Sequence, residues 1–179
     1  ARERELRDLA EQMPGIVYRA ALDTNHPRLY IGSRIRALGY SPQDWLNNPD
    51  FWMNVLHPGD RERVLVELRK GIDKAQPFTL NYRLRTKGGA WRHIEDAIRV
   101  VTPADGEAPV IQGVMIDVTE HAEARAERDM LLQDLPDGVL LLDSGKRITD
   151  ANPKAQELLG KPLDHLRGRH VGHLRGGAD

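Results

Sequence analysis

Apolar positions change period twice along this chain, and the changes divide it. Over residues 2–13, Leu6, Leu9, Ala10 and Met13 recur at helical spacing among Arg and Glu. That pattern predicts a short amphipathic helix, ended by Pro14-Gly15. Ile16–Leu22 and Arg28–Ile31 read as strands around a turn at Asp23–Pro27. A group of helices follows. Ser33–Leu38 is closed by Gly39. Ser41, Pro42 and Asp44 carry a capping box with proline at the first helical position. Asn48-Pro49 opens a helix over Asp50–Leu56. His57-Pro-Gly-Asp60 is a turn ending in an N-cap aspartate for Arg61–Lys74, whose inner face is Val64, Leu65, Leu68 and Ile72. The period then falls to two. Phe78, Leu80, Tyr82 and Leu84 alternate with polar residues, Thr86-Lys-Gly-Gly89 turns, Ala90–Val101 returns, and Val110–Val118 is a third strand. Two strands, a helix group and three strands make an α+β unit: a five-stranded antiparallel sheet with helices on one face.

A charged helix over Glu120–Gln133 comes next, with Thr119 as its expected N-cap and a seam of Ala122, Ala126, Met130 and Leu131. After Leu135-Pro136 the pattern restarts. Strands at Gly138–Asp143 and Arg147–Ala151 lead to a helix capped by Asn152 and closed by Gly160. The spacing repeats that of Pro14 to Gly39, and this internal repeat stops before its long helix and last three strands.

Composition narrows the chemistry. The chain has 179 residues, no cysteine, 30% charged residues and a formal net charge of −1. Disulfides and thiolate chemistry are excluded, and no global field points to nucleic acid. The basic cluster Arg167-Gly-Arg-His170 has no interleaved aromatics and reads as solvated. No apolar run approaches a membrane span. The chain begins without methionine and is expected to be a piece of a longer protein. His57, and the pair His170 and His173, lack the further ligands a metal site needs, so no metal is expected. Nucleophile-elbow, phosphate-loop, zinc-protease and dinucleotide fingerprints are missing, so no catalytic residue is expected.

Four segments carry a resemblance: Tyr40-Ser-Pro-Gln-Asp-Trp45, Leu56-His-Pro-Gly-Asp-Arg61, Tyr82-Arg-Leu-Arg-Thr-Lys-Gly-Gly-Ala-Trp91 and Gly113-Val-Met-Ile-Asp-Val-Thr119. In this order they resemble a PAS sensory domain with its C-terminal PAC motif. Asp150-Ala-Asn-Pro-Lys-Ala155 and Leu158-Leu-Gly-Lys161 resemble the first half of a second. The implied layout is a linker helix at 1–12, a PAS domain at 13–119, a connecting helix at 120–133 and a truncated PAS domain at 134–179. The resemblance implies a bacterial cytoplasmic sensor upstream of a histidine kinase, diguanylate cyclase or phosphodiesterase lying outside this chain. It implies homodimerisation through the linker helices. It also implies signal relay through Asp117 and Thr119, with Asp117 pairing to Arg85, Lys87 or Arg92. A small-molecule pocket would be lined by Trp45, Trp52, Tyr82 and Trp91. The ligand is not specified. Covalent flavin is argued against by the missing cysteine, and haem by a long helix without histidine. The other reading is a ligand-free dimerisation and relay module.

Overall fold

The computed structural model describes residues 14–22, 28–74, 76–102 and 108–174. The helix expected over 2–13 and the turn at Asp23–Pro27 lie outside these residues. The chain divides into two compact units at Thr119/Glu120.

In the first unit, strands β1 (Ile16–Ala21), β2 (Arg28–Ile31), β3 (Phe78–Arg85), β4 (Trp91–Val101) and β5 (Val110–Asp117) form one antiparallel sheet in the order β2-β1-β5-β4-β3. The β3–β4 hairpin keeps its register from Phe78↔Ile98 to Arg85↔Trp91, because the Thr86–Ala90 turn is tied by Thr86 N–H to Ala90 C=O and Ala90 N–H to Thr86 Oγ1. Gly89, at φ +92°, takes the left-handed position such a turn needs.

Between β2 and β3 lie a 3-10 turn at Ser33–Leu38, helices α1 (Pro42–Leu46) and α2 (Phe51–Val55), a 3-10 turn at Pro58–Asp60 and α3 (Arg61–Lys74). The capping box of α1 is complete: Asp44 N–H donates to Ser41 Oγ, and Ser41 N–H to Asp44 Oδ2. Gly39, at φ +84°, closes the first turn. Two expectations for α3 are corrected. Asp60 is no free cap: it ends the preceding 3-10 turn, and its carboxylate takes three hydrogen bonds from Arg83 of β3. Leu65 points outward, 41% exposed, and Gly71 takes its place on the inner face. A Cβ there would sit 2.6 Å from the Phe78 ring, so the helix comes closer to β3 than a side chain would allow. The core joins these helices to one face of the sheet through Ile35, Trp45, Leu56, Val64, Leu84, Ile94 and Met115, all nearly inaccessible.

The second unit carries most of α4 (Thr119–Gln133). It continues with the two-stranded β6 (Leu140–Leu142) and β7 (Ile148–Ala151), then α5 (Pro153–Leu159) and α6 (Leu163–Leu166). Its core is small: Ile148, Ala151, Ala155 and Leu166. Asn152 caps α5 through Ala155 N–H, and Gly160 closes it at φ +61°.

Candidate functional site

The inward positions of β4 run Ile94, Asp96, Ile98, so period-two alternation drives an acid into an apolar core. Asp96 is 1% exposed. Its Oδ2 accepts two phenol hydroxyls: Tyr82 from adjacent β3 at 2.7 Å, and Tyr18 from β1 at 2.9 Å. Tyr18 reaches it across an intervening strand, and Gly113 makes that crossing open. Gly113 of β5 lies opposite both Tyr18 and Ile98, and a Cβ on it would fall 2.4 Å from the Tyr18 ring. Burial pushes the Asp96 carboxyl above the usual range, against the two phenol hydrogen bonds and the Arg28 charge. Burial, and then the Asp96 charge, raise both phenols well above 10, so they keep their protons and donate.

Above Asp96 is a cavity of about 10 Å³, roughly one water's room. Tyr18, Arg28, Trp52 and Asp96 give it polar walls, and Leu68, Leu80, Ile98 and Ile111 apolar ones. The Arg28 guanidinium carbon stands 4.0 Å from the Tyr18 ring centroid, 5.4 Å from Trp52 and 5.9 Å from Trp45, all within cation–π range. Asp96 Oδ1 and the Nε1 atoms of Trp45 and Trp52 are buried without a hydrogen-bond partner among the described residues.

Of the four residues expected to line a pocket, Trp52 is on the wall, Tyr82 holds Asp96 and stacks edge-on against Trp52, and Trp45 is buried behind Arg28. Trp91 is elsewhere. Its odd-numbered phase on β4 turns it to the opposite face, 39% exposed against the His57 ring. Sequence reasoning missed Asp96, Tyr18, Arg28 and Gly113. The available signal was an acid in phase with Ile94 and Ile98.

The start of α4 also differs from expectation. Thr119 is not its N-cap. The helix already includes Thr119, a residue 4% exposed, and its hydroxyl accepts the His93 N–H of β4 at 2.9 Å. Asp117 Oδ1 takes the Thr119 N–H at 3.0 Å, along with its hydroxyl. The His93 carbonyl receives Val118 N–H at 2.8 Å. Both backbone groups of His93 therefore hold the entry to α4. Of the basic partners suggested for Asp117, Arg92 pairs with it, at 3.9 Å with both side chains well exposed, a geometry that contributes little.

In the second unit Asn152 is 6% exposed and uses its whole amide. Oδ1 accepts from Val139 and Ala155 N–H, and Nδ2 donates to the carbonyls of Leu132 and Asp137. One side chain thereby pins the last turn of α4 to the start of β6 and α5. His170 and His173 have ring centroids 5.7 Å apart, and His170 Nδ1 is spent on Gly172 N–H. No cluster of three metal-ligating side chains occurs among the described residues. No helix among them is long and apolar enough to cross a membrane.

Comparison with known proteins gives two family matches, the PAS fold over residues 28–115 and the PAS domain over 129–177. A methyl sulfide methyltransferase-associated sensor of Methanosarcina acetivorans is 26% identical over 123 residues, 68% of this chain and 12% of that protein. A probable diguanylate cyclase of Escherichia coli is 28% identical over 120 residues, 63% of this chain and 11% of that protein. The chain thus spans about an eighth or less of these relatives. Among solved structures, the N-terminal domain of a diguanylate cyclase with PAS/PAC sensor from Marinobacter aquaeolei superposes with a TM-score of 0.53 at 27% identity. The match covers 60% of this chain and 98% of that one.

Proposed function

The chain belongs to the PAS family, and from that premise we propose that it is the sensory segment of a larger signalling protein. In this reading the first unit binds a small ligand in the cavity above Asp96 and relays its state through α4 to an output domain outside this chain. The second unit is the first half of another PAS domain. The output is a histidine kinase, diguanylate cyclase or phosphodiesterase, in a cytoplasmic, bacterial, two-component-like setting. The segment itself is sensory, with no catalytic role. Homodimerisation runs through the linker helices, and Met130 and Leu131 of α4, each 65% exposed, supply apolar surface for it.

One observation carries the reading. Asp96 forms the cavity floor, and His93 grips the entry to α4; both sit on β4, three residues or about 10 Å apart. No loop intervenes, so a shift of β4 at one point displaces the other. Amide hydrogen exchange on the intact chain tests this. Asp96→Asn is expected to change exchange at Thr119–Glu123 several-fold while α5 stays as it was. If cavity amides respond and α4 does not, the relay is refuted.

The ligand-free relay module remains as a second reading, favoured by a cavity with room for about one water. Mass spectrometry of an extract from freshly purified protein separates the two. A retained small molecule at stoichiometric yield supports the sensor, and its absence together with an intact α4 response supports the spacer.

A further inference from the structure

The cavity is small because a charged group of the protein fills it. Arg28 brings its guanidinium among the faces of Tyr18, Trp45 and Trp52, with Asp96 behind. Three π faces and a carboxylate make an environment for a soft, weakly hydrated cation. A metal ion is poorly served, since apart from one available carboxylate oxygen, Asp96 Oδ1, the wall is aromatic, aliphatic and cationic and offers no further anionic oxygen ligand. An anion would face that carboxylate and the negative faces of the rings. With this little free volume, an incoming molecule must take the place of something already there. The half-buried side chain at the first residue of β2 is the one positioned to leave.

We propose that this pocket is a cation site occupied at rest by the protein's own Arg28, and that its ligand is a small alkylammonium ion that exchanges with the guanidinium. The proposal rests on the cavity being the sensory site, and it adds the ligand class and the moving part. Exchange keeps one positive charge beside Asp96 in both states, so neither state leaves the buried acid without a counter-charge. An ammonium N–H would satisfy Asp96 Oδ1, and its methyl groups would lie on Tyr18, Trp45 and Trp52. Arg28 would move toward solvent and carry the start of β2 with it.

Trimethylammonium chloride and tert-butanol form a matched pair of probes: three methyl groups and one polar hydrogen each, differing in charge. Both are titrated into the intact chain at constant ionic strength. The indole N–H resonances are followed by NMR, with Trp91 as internal control outside the cavity. Trimethylammonium should shift Trp45 and Trp52 saturably and leave Trp91 in place. Arg28→Met, which removes the competing cation, should lower the Kd at least tenfold. Arg28→Lys should fall between, which keeps the test open if Arg28→Met folds poorly. Asp96→Asn should raise the Kd at least tenfold. Equal binding of tert-butanol overturns the cation class but leaves a ligand site. No saturable shift in wild type, Arg28→Lys or Arg28→Met overturns the proposal outright. The sensory reading is judged separately, by the α4 exchange response to Asp96→Asn, which needs no ligand.

Discussion

Replacing Gly113 with alanine adds one methyl group to β5, and the structure gives that methyl nowhere to go. Its position falls 2.4 Å from Cζ and Oη of Tyr18. Backbone conformation is not the obstacle, since Gly113 is outside the positive-φ glycines. The strand itself would gain about 0.5–1 kcal/mol from losing glycine's freedom. Against that, overpacking a filled core costs about 1–3 kcal/mol. Moving the Tyr18 ring also breaks its bond to a buried acid, about 1.5–3 kcal/mol for a charged partner. The net expectation is a loss of about 1.5–5.5 kcal/mol. All three tryptophans, Trp45, Trp52 and Trp91, lie in the first unit, so tryptophan emission during urea unfolding reports that unit alone. The decisive comparison is a double-mutant cycle. Tyr18→Ala is itself costly, yet it empties the space, and Gly113→Ala in that background should cost under about 0.5 kcal/mol. An equal penalty in both backgrounds, or a negligible one in wild type, would refute the crossing-tyrosine account.

Three further outcomes follow from the geometry. Burial raises the Asp96 pKa, so the native state holds more protons than the unfolded one above about pH 4, and stability from this group falls as pH rises. Asp60 has the opposite sign: Arg83 lowers its pKa, and its contribution is lost on acidification below about pH 4. Urea midpoints between pH 3 and 8 should therefore show Asp96→Asn gaining on wild type with rising pH, and Asp60→Asn about 1.5–3 kcal/mol weaker at pH 7 with the gap closing in acid. Parallel curves for all three proteins would contradict both assignments. Thr119→Val should cost about 1–3 kcal/mol by leaving the His93 N–H unpaired, with faster exchange at His93, while an exposed-pair test such as Arg92→Ala costs under about 1 kcal/mol. Asn152→Ala should weaken the second unit by at least about 2 kcal/mol, through the lost cap and the stranded backbone groups, and should leave tryptophan emission unchanged. Circular dichroism of the second melting step reads that loss, and a single unchanged step would count against it.

Local chemistry made much of the fold readable in advance. The capping box at Ser41 and Asp44, the left-handed stops at Gly39 and Gly160 and the alternation of Phe78–Leu84 each depend on neighbours within a few residues, and each formed as expected. The site depended on partners far along the chain. Tyr18 and Asp96 are 78 residues apart, and only the order β1-β5-β4 brings them together. Asp60 and Thr119 were misassigned for one shared reason. Each is a residue type that caps helices, at a helix start, but a distant strand offered a better partner: Arg83 to Asp60 and the His93 amide to Thr119. Capping preference is local, and a part-buried long-range hydrogen bond outweighs it. Trp91 lies off the inward phase of β4, a placement that follows from strand alternation and not from hydrophobic size.

The crossing of Tyr18 over Gly113 also ties three positions together across generations. A side chain at 113 requires a smaller residue at 18, and the loss of the phenol leaves the acid at 96 with one donor instead of two. Substitution at any one of them changes what the other two can tolerate, so drift should pass through paired or triple replacements rather than single ones. Relatives that keep a glycine, a tyrosine and an acid at these three positions would share the crossing, and those that have lost one should have lost the set.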